Sequence, residues 1–244
     1  PVCPAGTTDA GETLDLTGST LSACRSWRIG RRCWNDCAET DKAMPELNLI
    51  LSDRFALDDA NAVRTALSEH LSVGEPRFWL RKSVDPTLIS IIQLMGTAAA
   101  WLPLSAAATI YLSTLAKRAG DATWDGIASL LKRKEVKPLA DVATTLATTA
   151  SKMEGKVEIV VGLSLPDDSF GAAVTIKGKS PEDVAQAVAA FVVHVEALSK
   201  TMQAEVEAGR APLRRAAVEV QGDGSLLVKW YSHDESEEHE RRIP

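Results

Sequence analysis

The chain has 244 residues, of which 45% are hydrophobic and 25% are charged. These fractions are typical of globular proteins, and the length accommodates one or two domains. The net charge of −6 and the pI near 5.3 argue against the basic face that nucleic-acid-binding proteins present. Residues 1–30 lack the continuous apolar segment of a secretory signal peptide. We therefore expect a cytoplasmic protein that does not bind nucleic acid.

Residues 1–43 differ from the rest of the chain, because they show no sustained apolar periodicity. Two interpretations remain open: an extension that is disordered or foreign to the native protein, and a small cysteine-rich appendage. All four cysteines lie here: Cys3, Cys24, Cys33 and Cys37. No nearby histidine or second close cysteine pair completes a four-ligand zinc set around Cys33 and Cys37. We therefore expect no metal or other cofactor.

Residues 44–85 predict a β-α-β unit. A short apolar strand over 47–51 is followed by a helix with its apolar residues on one face, and a second strand covers 78–80. The residues of that helical face are Ala60, Val63, Leu67 and Leu71.

Residues 86–116 carry no charge and are long enough to cross a bilayer core of ~30 Å as a helix. The run is interrupted at Trp101-Leu102-Pro103, where two shorter helices can fold back on each other. Its many small residues favour such a helical hairpin within a soluble fold. A pair of helices in or on a membrane and a spanning helix are the alternatives. With the helices that follow, residues 86–154 are predicted to be an all-helical insertion.

Strand patterns return in residues 155–232, at 157–163 and 172–176. A strong start at Ser180-Pro181 predicts a helix over 180–208, and 217–231 form the clearest hairpin. At about 28 residues the helix would span ~42 Å, so we expect its end to overhang a small sheet. Residues 233–244 read as a charged, frayed tail.

Together these elements predict an α+β fold. Its mainly antiparallel sheet would follow a β-α-β…β-β-α-β-β order, ferredoxin-like or a related sandwich, with the helical block inserted. Residues 44–85 and 155–232 would form one discontinuous sheet domain.

Isolated polar residues do not combine into a catalytic set. His194 reads as a helix-flank residue, and Gly222-Asp223-Gly224 reads as a turn between two strands, which offers no helix N-terminus to a phosphate. The cluster from His233 to His239 reads as a solvated tail, because metal ligands need fixed geometry. We therefore expect no enzymatic activity.

The remaining hypothesis is a non-catalytic interaction or scaffold module. The helical block or helix 180–208 would dock a protein partner or a second copy of the chain. The residues chosen for this surface are Trp101, Leu104, Tyr111, Leu198 and Met202. The alternative is a membrane-associated accessory or effector protein anchored through residues 86–116.

Overall fold

The structure is a computed structural model that describes residues 46–79, 89–117, 124–153, 155–165, 171–176, 178–232 and 238–244, with only the backbone of 124–127. These residues all lie in the second of the two units into which the chain divides, Ala43–Pro244. The predictions about residues 1–43 and their cysteines fall outside the described residues.

One eight-stranded sheet forms the centre of the fold, in the order β2-β1-β3-β4-β5-β6-β7-β8. Three neighbouring pairs are parallel, namely β1/β2, β3/β4 and β5/β6, and the other neighbours are antiparallel. The sheet is therefore mixed. Its strands are β1 (Asn48–Ser52), β2 (Arg77–Trp79), β3 (Ser90–Gly96), β4 (Val157–Ser164), β5 (Gly171–Ile176), β6 (Ala216–Val220), β7 (Leu226–Tyr231) and β8 (Glu238–Ile243).

The helices and the covered face of the sheet share one large apolar core. The long helix α6 contacts strands β4 to β8 and packs against both α3 and α5, while α1 packs against α5. The helices are α1 (Leu57–Leu67), α2 (Ala98–Trp101), α3 (Ser105–Lys117), α4 (Trp124–Leu131), α5 (Lys137–Ser151) and α6 (Pro181–Glu207), and a 3-10 turn at Leu102–Leu104 joins α2 to α3.

The predicted mixed α+β class is confirmed, whereas the ferredoxin-like strand order is not. Two strands that the sequence patterns did not reveal account for the difference. Strand β3 lies between β1 and β4, and β8 extends the sheet beyond β7.

Strand β3 corrects the prediction that residues 86–154 are wholly helical. Ile92 and Leu94 are fully buried on the covered face. On the other face Met95 joins Val160 and Ala173 in a small second apolar cluster. Because both faces of β3 are apolar, the strand shows no alternation of polar and apolar residues. Over its described residues, 89–116, the charge-free run is therefore a strand followed by one helical stretch, and the predicted hairpin of two helices is wrong.

Strand β8 corrects the expectation of a frayed tail for residues 238–244, whereas residues 233–237 of the predicted tail lie outside the described residues. Glu238–Ile243 pair with β7 along their whole length, and the ring of His239 stacks on that of Trp230 at 5.4 Å. Ile243 is buried in the main core. The many charges of β8 suit an edge strand, where they oppose edge-to-edge pairing with another chain.

Helix α6 begins at the predicted cap and ends within one residue of the predicted end. The Ser180 hydroxyl oxygen accepts a hydrogen bond from the Asp183 backbone N–H at 3.1 Å, and Gly209 follows the helix with φ +75°. The predicted overhang is wrong, because the end of α6 is covered: Met202 and Glu205 are buried, and Glu205 pairs with Arg241 of β8.

Candidate functional site

The five residues that the sequence suggested as an interaction surface are all core residues. Trp101, Leu104, Tyr111, Leu198 and Met202 each have an exposed fraction of 0%. The indole Nε1 of Trp101 donates to the Gly162 carbonyl oxygen at 3.1 Å. Its ring meets Phe191 of α6 edge-on, with 5.5 Å between centroids. The choice of these residues as an exposed surface is therefore wrong, because all five are buried in the core.

Tyr111 has a buried hydroxyl group without a hydrogen-bond partner in the described part of the chain. Burial, together with the negative charges of Glu182 and Asp183, raises its pKa to about 12. The phenol therefore stays neutral at physiological pH, and its position between α3 and α6 is a packing position.

The outward side of Ala98–Lys117 is uncharged. Leu102 is 45% exposed and Ile110 is 38% exposed, and no Asp, Glu, Lys, Arg or His precedes Lys117 in this stretch. By length and composition it is the one stretch of the described chain apolar enough to cross a membrane. Core helices of soluble proteins also meet that criterion.

A groove of about 540 Å³ runs between α1 and α5. Phe55, Val63 and Met153 give it an apolar floor, since Val63 belongs to the core and the other two pack against it. One wall consists of four threonines of α5: Thr144, Thr145, Thr148 and Thr149. The Thr149 hydroxyl donates to the Thr145 carbonyl oxygen at 2.6 Å, so its hydrogen is not available to a ligand.

The two ends of this groove differ in charge pairing. At one end His70 Nε2 lies 2.8 Å from Asp141 Oδ2 and ties the turn after α1 to the first turns of α5. At the other end Arg54 and Lys152 line the groove with Asp59. Neither cation forms an ion pair with the residues that the structure describes. The groove therefore combines an apolar floor with two available positive charges.

A second cavity, of about 690 Å³, lies beside the β6–β7 turn. Ser225 Oγ donates to Asp223 Oδ1 at 2.7 Å and accepts from Arg242 Nε at 3.0 Å. His194 Nε2 lies 3.0 Å from the Gly224 carbonyl oxygen. The serine hydroxyl is thus paired with a carboxylate and a guanidinium rather than with the imidazole that would activate a nucleophile.

The same hydrogen bonds explain the electrostatics of this turn. The hydroxyl of Ser225, followed by its backbone N–H, lowers the pKa of Asp223, and the nearby Arg242 acts in the same direction. The group connects the turn to β8 through Arg242 and to α6 through His194. This agrees with the predicted roles of His194 as a helix-flank residue and of 222–224 as a turn.

Reasoning from the sequence did not predict the groove. Thr144, Thr145 and Thr148 lie on α5 beside the buried stripe that includes Val142, Leu146 and Thr149, and such residues are normally interpreted as a solvated helix face. The pairing of α1 with α5 joins residues about eighty positions apart in the chain. The one signal in the sequence was the absence of charged residues between Asp141 and Lys152.

Comparison of the chain with protein-family models, with curated proteins and with solved structures finds no match.

Proposed function

We propose that this chain is a non-catalytic interaction module that docks a helical segment of a partner protein in the groove between α1 and α5. The observation that carries the proposal is the groove itself. It is open along one side, apolar at its floor, and flanked at one end by Arg54 and Lys152, which have no ion-pair partner among the described residues. Helix α5 belongs to the helical block that the sequence suggested for docking.

The chemistry of the groove specifies its partner. Grooves between two helices accept an amphipathic helix whose apolar side chains recur at i, i+3 or i+4, and i+7. Arg54 and Lys152 favour a carboxylate near one end of that helix, because each cation gains a charged hydrogen-bond acceptor there. The chain as a whole carries −6, so this end of the groove differs in sign from the protein's overall charge. The expected partner is thus an amphipathic helix with an acidic end.

Peptide selection tests the proposal directly. A library of displayed helical peptides is selected on the full chain and then counter-selected on the variant Ala62→Arg, which fills the groove from an exposed position. We expect enriched peptides to share the apolar spacing and an acidic end. Their binding should fall in Ala62→Arg and in the double variant Arg54→Glu, Lys152→Glu.

The matched control is Thr175→Arg, which adds the same side chain at an exposed position on the uncovered face of the sheet. Peptide binding should be unchanged in this variant. Binding that survives both groove variants, or that is lost equally in the control, would contradict the proposal. The absence of any enriched helical peptide would contradict it as well.

The second candidate function is attachment to a membrane through the outward side of Ala98–Lys117. The uncharged surface around Leu102 and Ile110 favours it. Sedimentation with liposomes of neutral and anionic lipids tests it on the full chain without detergent. If the surface binds lipid, Ile110→Lys should abolish co-sedimentation, because a cation in the apolar layer is costly. If the wild-type chain is soluble without detergent and does not sediment with the liposomes, membrane attachment is excluded.

A further inference from the structure

Three potential metal ligands meet where the turn after α1 approaches α5. Glu69 and His70 come from the turn, and Asp141 comes from the second turn of α5. One donor atom of each lies within 4.8 Å of the donors of the other two. The side chain of His70 is 18% exposed and that of Asp141 is 36% exposed, while Glu69 is on the surface. An ion from solvent can therefore reach all three.

We propose that Glu69, His70 and Asp141 form a binding site for a borderline divalent transition metal, with Zn²⁺ as the reference ion. An imidazole nitrogen with two carboxylates is a donor set that zinc accepts, and three protein ligands leave its fourth position to water. Mg²⁺ and Ca²⁺ prefer oxygen donors throughout. The histidine therefore sets the metal class.

The distances fit this assignment after small side-chain movements. Metal–ligand bonds of about 2.0–2.2 Å in a tetrahedron place donor atoms about 3.4 Å apart. His70 Nε2 and Asp141 Oδ2 are 2.8 Å apart and need to separate by about half an ångström. Glu69 is exposed, so it can rotate toward the other two without disturbing the core.

The contacts already present at Asp141 do not block the site. Its Oδ2 atom meets His70 and also Lys137, whose Nζ lies 3.9 Å away. Both contacts use the same oxygen, and Oδ1 has no protein partner within the described ranges. The Lys137 side chain is 67% exposed, and an exposed i,i+4 ion pair of this kind contributes little energy. Zinc can therefore displace the Lys137 ammonium group from Asp141.

The consequence is a metal-dependent link between two helices. Because Glu69 and His70 follow α1 whereas Asp141 belongs to α5, the ion would join the two helices that form the groove. The metal site does not depend on the groove binding a peptide. Zinc that binds only the folded chain should raise its unfolding midpoint.

Zinc titration of the full chain tests the proposal. The four cysteines, Cys3, Cys24, Cys33 and Cys37, are first alkylated so that thiolates do not contribute. Calorimetry with Zn²⁺ should show one equivalent that is lost in His70→Ala. In Glu69→Gln the affinity should fall at least tenfold, since even changes around a metal's direct ligands cost about 10- to 100-fold.

Glu69→Gln is the sharper variant, because Glu69 is exposed and its replacement should leave the metal-free unfolding midpoint unchanged. The matched control is His194→Gln, which removes a half-buried histidine far from the cluster. It should keep wild-type zinc stoichiometry and affinity. The proposal is wrong if the alkylated wild-type chain takes up no zinc at millimolar concentration. It is equally wrong if Glu69→Gln and His70→Ala bind zinc as the wild type does.

Discussion

The helical stretches Ala98–Lys117 and Pro181–Glu207 pack against each other, yet they differ in charge. The first has no acidic or basic residue before its last position, Lys117. The second has Glu182 and Asp183 in its first turn and Glu205 near its end. Trp101 and Phe191 meet at their contact with an angle of 77° between the rings. Two helical stretches that differ in their charged residues therefore contribute to the same core.

The two helical stretches show that the hydropathy of a segment does not determine how much of it is buried. Only 33% of the most apolar window of Ala98–Lys117 is buried inside the fold. In Pro181–Glu207, by contrast, even the charged Glu205 is buried, with an exposed fraction of 5%. The neighbouring elements decide which side of each helix is covered. Four substitutions test this contrast, in order of decreasing expected effect.

Trp101→Ala should cause the largest loss of stability. It removes a fully buried ring and its hydrogen bond to Gly162, and large-to-small changes of this kind cost about 3–5 kcal/mol. Urea denaturation of the full chain measures the loss. Trp101→Phe is the control, because it keeps an aromatic ring against Phe191 and should lose less. A small loss in Trp101→Ala would show that α2 is not part of the core.

Glu205→Gln should be next. The carboxylate pairs with Arg210 Nε at 2.6 Å and with Arg241 Nε at 3.0 Å, so it joins the end of α6 to β8. Hydrogen bonds to charged groups contribute about 1.5–3 kcal/mol, and the amide retains only part of this. Urea denaturation at neutral pH should show the difference from wild type.

The difference in stability between the wild type and Glu205→Gln should depend on pH in a defined direction. The hydrogen bond from Arg210, followed by that from Arg241, lowers the pKa of Glu205 below 4.5. Its stabilising contribution is therefore present above that value and is lost as pH falls through the lowered pKa. The gap in stability between wild type and Glu205→Gln should narrow in this acidic range. A constant gap from neutral to acidic pH would show that the charge of Glu205 is not used.

Ala107→Leu and Ala106→Leu form a matched pair of adjacent substitutions in α3. Ala107 is 4% exposed whereas Ala106 is on the surface. Adding volume at Ala107 should cost about 1–3 kcal/mol, because tightly packed contacts resist extra methylenes. The same change at Ala106 should be almost neutral. Equal tolerance at both positions, with recovery of the protein in the membrane fraction, would favour the membrane alternative.

Tyr111→Phe should have the smallest effect and the opposite sign. It removes a buried hydroxyl that has no partner in the described residues, and an unsatisfied buried polar group carries a desolvation penalty. We expect stability at neutral pH to be unchanged or slightly increased. A clear loss of stability would indicate that the hydroxyl makes a hydrogen bond through water.

Alkaline pH separates Tyr111 from other effects. Because the pKa of Tyr111 is raised from 10.0 to about 12, the native state resists ionisation that the unfolded state accepts. The wild type should therefore lose stability between pH 10 and about pH 12, whereas Tyr111→Phe should lose less. If the two proteins lose the same amount of stability over this pH range, the burial of the Tyr111 hydroxyl is contradicted.

The elements whose residues carry local signals could be predicted from the amino-acid sequence. Helix α6 follows from its Ser180 cap and its 3–4 spacing of apolar residues. The β6–β7 hairpin follows from Gly222-Asp223-Gly224 between two alternating runs. Helix α1 follows from Ala60, Val63 and Leu67 on one face. In each case the pattern reflects one buried side and one solvated side of a single element. This asymmetry is visible in the order of apolar and polar residues in the sequence.

The elements that lack such asymmetry depend on contacts between residues far apart in the sequence, and they became visible only in the tertiary structure. Strand β3 is apolar on both faces because Ile92 and Leu94 pack into the main core on one face, while Met95 packs with Val160 and Ala173 on the other. Strand β8 is charged because it is an edge, and the pairing of Arg241 with buried Glu205 holds it in place. The groove and the Glu69–His70–Asp141 cluster arise from the pairing of α1 with α5. Contacts between distant parts of the chain create these features, so no local pattern of residues encodes them.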